Sequence, residues 1–159
     1  MVSPVFWLAL MAVTGAAPAH PQSVEAHLAP LVGNWTRVGL EATYRDHCVW
    51  YDRRAFVVCS LTDGRSGGRL EAILGYSKEE QRYTYQSFSN AGDSRLFYGY
   101  PLGADGLVFT DERKVDGQPV RLTTSLIPQP DGRLRMVQDR SVMGGPWQRL
   151  GEVYYVKRK

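Results

Sequence analysis

The stretch CVWYDRRAFVVC, residues 48–59, holds the only two cysteines of the 159-residue chain. β-branched and aromatic residues flank a polar turn at Arg53 and Arg54, a pattern typical of a β-hairpin. Folding about this turn brings Cys48 opposite Cys59. Directly opposed residues of an antiparallel pair have Cβ atoms about 4.5–5.5 Å apart, within a small adjustment of disulfide geometry. We therefore predict a disulfide that clasps the hairpin. A metal site is the weaker alternative, because only His47 lies near as a further ligand.

The N-terminal sequence agrees with an oxidising compartment. Residues 1–19 carry no charged side chain, and their apolar run, residues 5–13, is too short to span a bilayer as a helix. Ala17-Pro18-Ala19 has the A-x-A form of a cleavage site. We predict a signal peptide at 1–19, although its first residues lack Lys and Arg, and a secreted or periplasmic protein. A buried N-terminal element is the alternative. No later run is long enough for a transmembrane segment in the mature chain.

The rest of the chain alternates turn signals with short β-rich segments. Dipeptides such as Asp63-Gly64, Asp116-Gly117 and Asp131-Gly132 favour tight reversals. Many hairpin-linked strands predict an all-β fold, a single antiparallel up-and-down barrel of about eight to ten strands, because closure removes the sheet edges. The expected strands are 34–41, 44–51, 55–61, 69–76, 81–88, 95–101, 106–110, 119–127, 133–141 and 147–157.

One short helix is expected before the barrel. Ser23 is a suitable N-cap for residues 23–29, and Pro30 ends the segment. This helix would lid or plug the barrel mouth; the alternative is a disordered lead-in. The predicted organisation is therefore a signal peptide at 1–19, a lead-in with a short helix at 20–30, and a barrel domain at 31–159.

The charge distribution excludes one class of partner. The formal net charge is +3 and the pI about 8.9, with Lys and Arg scattered along the chain. A nucleic-acid-binding protein would concentrate these charges in a patch with interleaved aromatic residues. We expect no nucleic-acid partner.

Gly33-Asn34-Trp35, a G-x-W at the start of the first strand after a short helix, resembles the lipocalin (calycin) superfamily. The signal, the helix, the meander and the closing Tyr154–Arg158 segment fit the same layout. The chain is similar to small secreted lipocalin-like domains of unknown function. The resemblance implies that Trp35 closes the barrel floor and that a basic residue of the last strand, Arg158 or Arg149, packs across it. An Arg–Trp contact of this kind stabilises by roughly 0.5–2 kcal/mol.

No motif in the sequence predicts catalysis. The three histidines are His20, His27 and His47, and only the last lies within the predicted barrel. No serine lies in a G-x-S-x-G elbow, and no cluster has recognisable metal-ligand spacing. We therefore expect no catalytic residue, no metal and no cofactor, haem included.

Aromatic and polar residues of one strand parity predict a pocket inside the barrel. An apolar cavity with a few hydroxyls and one amide is typical of a small-molecule site. A one-residue slip in any strand would reverse the prediction there. The expected lining residues are Tyr83, Tyr85, Tyr98, Tyr100, Leu122, Thr124, Met136 and Gln138.

Three functions follow from these observations. The first is binding of a small, mostly apolar ligand without catalysis. The second is a filled barrel that acts as an interaction or structural module. The third is a barrel enzyme of isomerase, cyclase or lyase type, which needs a buried carboxylate beside a tyrosine. Both faces of the 48–59 hairpin are apolar. We therefore expect the outward face to be covered by the N-terminal segment, by a partner or by a second copy in a homodimer.

Overall fold

The computed structural model describes residues 24–158 and consists of one short helix followed by ten strands. The predicted signal peptide, residues 1–19, lies outside the described residues. No helix among residues 24–158 is long and apolar enough to cross a membrane. The elements are α1 (Val24–Leu28), a 3₁₀ turn (Ala29–Leu31), β1 (Gly33–Arg37), β2 (Tyr44–Tyr51), β3 (Phe56–Asp63), β4 (Gly68–Ser77), β5 (Arg82–Ser89), β6 (Ser94–Leu102), β7 (Gly106–Val115), β8 (Gln118–Pro128), β9 (Leu134–Val142) and β10 (Gln148–Lys157).

The strands form one closed antiparallel up-and-down barrel. Each strand pairs with the next in sequence, and β1 pairs with β10 to complete the ring. This confirms the predicted fold class. Most strand bounds agree with the sequence prediction to within two residues, and β1 and β7 differ more. β1 ends at Arg37 because the chain turns there, with the Leu40 amide donating to the Arg37 carbonyl at 2.9 Å. β7 continues to Val115 because Asp116 and Gly117, both at positive φ, form a two-residue hairpin turn.

The predicted disulfide is present and lies inside the barrel. Cys48 and Cys59 are directly opposed on β2 and β3, with Cα atoms 4.0 Å apart. Both cysteines are buried. Alternate residues of these strands point inward, so the disulfide also fixes which face of the hairpin meets the interior.

Removing the disulfide should weaken the barrel measurably. Closing a loop of this length is expected to stabilise by roughly 2–3 kcal/mol, mainly by restricting the unfolded chain. We expect the double variant Cys48→Ser/Cys59→Ser to lose that amount in urea unfolding. Addition of a reductant should shift the wild-type midpoint equally and leave the variant unchanged. An identical midpoint for the wild type with and without reductant in the unfolding buffer would contradict this assignment.

The helix α1 and the 3₁₀ turn close one end of the barrel. His27, Leu28 and Leu31 are buried there. The Nδ1 of His27 lies 3.0 Å from the Tyr83 hydroxyl, and Glu25 forms an ion pair with Arg54 in the β2–β3 turn. The predicted short helix is therefore ordered and packs against the strands.

Trp35 packs at the same end, but its cationic partner is not the predicted one. Its Nε1 donates a hydrogen bond to the Leu31 carbonyl at 2.8 Å. The Nζ of Lys157 lies 5.1 Å from the Trp35 ring centre. Lys157 is the β10 residue directly opposite Trp35, so the two side chains share a face. Arg158 follows the end of β10, where its backbone amide donates to the Asn34 carbonyl at 2.8 Å. Arg149 pairs with Asp139 and Glu152 instead.

The outer wall carries an exposed apolar patch on β2, β3 and β4. Val49, Val58 and Ile73 form one cross-strand row, and Tyr51 and Phe56 form the next. Tyr51 is 62% exposed. This is the outward face of the 48–59 hairpin, and no element within residues 24–158 covers it.

Two glycines make room for aromatic rings on opposite sides of the wall. Gly99 faces the interior, where a Cβ would lie 2.6 Å from the Phe109 ring and 3.0 Å from the Val108 carbonyl oxygen. Gly75 lies on the outer wall under the ring of Phe56, which is 38% exposed. The interior ring cannot move aside without disturbing the core, whereas the outer ring can swing into water.

We therefore expect Gly99→Ala to destabilise the protein more than Gly75→Ala does. Overpacking a buried site costs about 2 kcal/mol, and the outer site should lose less than half of that. Thermal or urea unfolding of the two variants side by side tests the difference. Equal losses would contradict the inward orientation of Phe109.

Candidate functional site

The barrel encloses a cavity of about 610 Å³. Its walls are mostly apolar, with polar groups at separate points, as expected for a small-molecule site. The presence of this cavity argues against the filled-barrel interpretation. The apolar lining includes Leu61, Leu70, Leu74, Phe97, Phe109 and Leu126, and the polar lining includes Tyr44, Asp46, Tyr85, Ser87, Thr124, Gln138 and Tyr155.

Five of the eight predicted pocket residues line this cavity: Tyr85, Leu122, Thr124, Met136 and Gln138. The Gln138 side-chain amide lies 3.4 Å from the Thr124 hydroxyl. Tyr83 is buried but does not line the cavity. Its hydroxyl meets His27 of α1, so it belongs to the closed end. A role of these residues in binding stays a prediction.

The prediction was wrong for Tyr98 and Tyr100, which point outward. Tyr83 pairs with Gly99 and Tyr85 with Phe97, so the odd-numbered residues of β6 face inward. The Arg82 guanidinium lies 3.5 Å from the centre of the Tyr98 ring, and Tyr100 is 52% exposed. Aromatic residues occupy both the inward and the outward positions of β6, so the sequence does not show which set lines the cavity. The inward Gly99, which makes room for the Phe109 ring, gives no sequence signal either.

Sequence reasoning missed the carboxyl group in the cavity, Asp46 of β2. It has the same parity as Tyr44 and Cys48, both of which line the cavity. Once the disulfide is placed inside the barrel, alternation places Asp46 inside as well. Tyr155 of β10 was also missed as a lining residue. The alternation of inward and outward residues identifies both Asp46 and Tyr155 as lining residues, but only once the inward face of each strand is known.

Asp46 is a half-buried carboxyl group in the cavity wall. Its Oδ1 lies 3.5 Å from Sγ of Cys48, a disulfide sulfur that has no hydrogen to donate. Burial, with a smaller contribution from the negative charge of Glu71, raises the pKa of Asp46 to about 6. No ion pair to Asp46 is found within residues 24–158. Near neutral pH this group is therefore a largely uncompensated negative charge in an apolar cavity.

Three tyrosine hydroxyl groups share the cavity with Asp46. The Tyr44 and Tyr155 rings lie 5.8 Å apart, centre to centre. Burial raises the pKa of Tyr44 and of Tyr155, and it raises the pKa of Tyr85 to about 12. The nearby charge of Asp46 acts in the same direction on all three. These hydroxyls stay protonated at neutral pH and can donate hydrogen bonds. The Tyr155 hydroxyl donates to Sδ of Met136 at 3.7 Å.

The disulfide prevents a metal site at Asp46. The ligand atoms of Asp46, Cys48 and Cys59 lie within 4.8 Å of one another, the single such group within the part of the chain that the structure describes. Because the two sulfurs are bonded to each other, neither is a thiolate, and only the carboxylate is left as an effective ligand.

Charged residues lie where the cavity meets the ends of β5, β6 and β7, opposite α1. Asp93, Arg95 and Arg113 line this part of the cavity. Arg113 pairs with Asp111 at 3.7 Å, and Arg95 is exposed. The cavity is thus apolar in its middle, acidic at Asp46 and bordered by solvated arginines at the other end.

Comparison with known proteins does not identify a family for this chain. No protein-family model matches the chain, and no curated protein matches it.

Proposed function

We propose that this chain is a secreted or periplasmic, lipocalin-like barrel that binds a small, mostly apolar ligand without converting it. The observation that carries the proposal is the apolar-walled cavity of about 610 Å³ inside a closed barrel. A well-packed protein interior contains few voids larger than a water molecule. A cavity of this size therefore favours a binding function. Its volume is within the range of small-molecule sites.

Several features support the lipocalin-like assignment. The G-x-W motif at 33–35 places Trp35 across the closed end, with a cation from the last strand over its ring. A short helix precedes the barrel, and a buried disulfide suits an oxidising compartment.

Titration with N-phenyl-1-naphthylamine, whose fluorescence rises in apolar surroundings, tests ligand binding. Ala72 is buried at the cavity wall, and Ser60 is exposed on the outside of the adjacent strand. The matched variants are Ala72→Phe, which fills the cavity, and Ser60→Phe, which does not. We expect saturable binding at one site in wild type and Ser60→Phe, and a loss of about tenfold or more in Ala72→Phe. Equal binding by all three proteins would contradict a site inside the barrel.

Asp46 favours a second candidate function, an acid–base isomerase. Its carboxylate would take a proton from a carbon beside a carbonyl and return it to another carbon, while a neutral tyrosine hydroxyl of Tyr44 or Tyr155 donates to the carbonyl oxygen. An isomerase of this type would catalyse exchange of solvent deuterium into a bound apolar ketone such as 2-decanone, and Asp46→Asn would abolish the exchange. No exchange with the wild-type protein would leave binding as the function.

A further inference from the structure

The cavity is asymmetric in charge, and its interior charge is negative. Asp46 lies within the cavity wall, beside the disulfide and the tyrosines. The lining arginines, Arg95 and Arg113, lie at the far end. Because water screens exposed charges, Arg95 acts weakly on a ligand, whereas a charge in an apolar interior acts strongly.

The groups around Asp46 do not neutralise it. The tyrosines donate hydrogen bonds but carry no positive charge at neutral pH. Arg37 lies near enough to lower the pKa of Tyr44 and Tyr155. Arg45 and Arg158 line a small second pocket next to Asp46. None of these three arginines forms an ion pair with Asp46 within residues 24–158. A buried carboxylate without a counter-charge is unfavourable, and a cation placed against it relieves that penalty.

We propose that the ligand is an apolar amine, whose protonated nitrogen lies against the carboxylate of Asp46 while its hydrocarbon body fills the cavity. This inference rests on the proposed ligand-binding function and specifies the class of ligand. The Leu, Phe and Met side chains of the wall accommodate the hydrocarbon. The tyrosine hydroxyls can accept further N–H hydrogen bonds from the ammonium group.

The opposite polarity is disfavoured by the same geometry. A fatty carboxylate with its head group inward would place a second negative charge beside Asp46. With its head group outward, it would meet Arg95 and Arg113, of which the second is already paired with Asp111. A neutral alcohol would be neither attracted nor repelled by the charge of Asp46. Amine, alcohol and carboxylate of equal chain length therefore bind with different affinities if Asp46 selects the ligand.

Competition with bound N-phenyl-1-naphthylamine by decylamine, 1-decanol and decanoate at neutral pH tests this order. We expect decylamine to displace the probe at a concentration about tenfold or more below that of decanoate, with decanol between them, because hydrogen bonds to a buried charge are strong. Asp46→Asn should remove most of the preference for decylamine, and Asp46→Glu, which keeps the charge, should retain it.

Glu71→Gln is the matched control. It removes one negative charge from the outer wall, where the Glu71 carboxylate accepts a hydrogen bond from Ser60, and it leaves the cavity lining unchanged. Its ligand preference should stay close to that of wild type. If the three compounds compete equally, or Asp46→Asn keeps the wild-type order, the amine proposal is overturned and ligand binding still stands. If the probe itself does not bind wild type, both proposals fail.

Discussion

Replacing Trp35 with alanine is expected to lower the free energy of unfolding by about 3–5 kcal/mol, the usual loss for truncating a large buried aromatic side chain. Trp35 is 3% exposed and joins the elements that close the barrel. It donates to the Leu31 carbonyl, lies beneath Lys157 and forms part of the cavity wall. Its removal therefore weakens the closed end and enlarges the cavity together. Urea unfolding followed by circular dichroism measures the loss.

Two further variants separate the contributions of the Trp35 hydrogen bond and of the Lys157 cation to this loss of stability. Trp35→Phe keeps an aromatic ring but loses the hydrogen bond to Leu31, so we expect an intermediate loss. Lys157→Ala removes only the cation over the ring and should cost about 0.5–1 kcal/mol. A Trp35→Ala variant as stable as wild type would show that the closed end does not depend on this side chain.

Asp46→Asn is expected to stabilise the protein by up to about 3 kcal/mol at about pH 8 and to have little effect at about pH 4. The folded-state pKa of Asp46, about 6, lies above its ordinary value of 3.8, chiefly because of burial. The folded protein therefore holds this proton more tightly than the unfolded chain does. Stability from this group is present in full below the lower value and is lost as the pH rises through about 6. Asparagine has no charge to desolvate, so the variant avoids that loss.

Urea unfolding of wild type, Asp46→Asn and Glu71→Gln at both pH values tests the sign and the size of the expected change in the free energy of unfolding. Removing the outer-wall charge of Glu71 should give only a small gain, because burial is the larger cause of the raised pKa. Destabilisation by Asp46→Asn at about pH 8 would mean that Asp46 has a favourable partner in the folded protein. That result would also weaken the argument for a cationic ligand.

Local sequence features predicted most of the barrel. Gly and Asp turn residues delimit ten segments, and the cysteine spacing fixes one hairpin register, so the fold class and the disulfide could be predicted. Strand parity was harder. In β6 both Tyr98 and Phe97 look suited to a pocket, and only pairing with β5 places Phe97 inside. Asp46 was missed because a lone carboxylate is usually solvent-exposed. Lys157, and not the predicted Arg158, lies over Trp35 because the pairing of β1 with β10 sets Lys157 opposite Trp35. The sequence does not specify this register to one residue.

Native mass spectrometry of the protein purified from its own host tests the central claim, a hollow barrel that holds one small ligand. Spectra would be recorded as isolated and after mixing with N-phenyl-1-naphthylamine, for wild type, Ala72→Phe and Ser60→Phe. We expect one small molecule or one probe molecule per chain in wild type and Ser60→Phe, lost on denaturation, and none in Ala72→Phe. No bound molecule in any of the three proteins, or the same adduct in all of them, would contradict the claim.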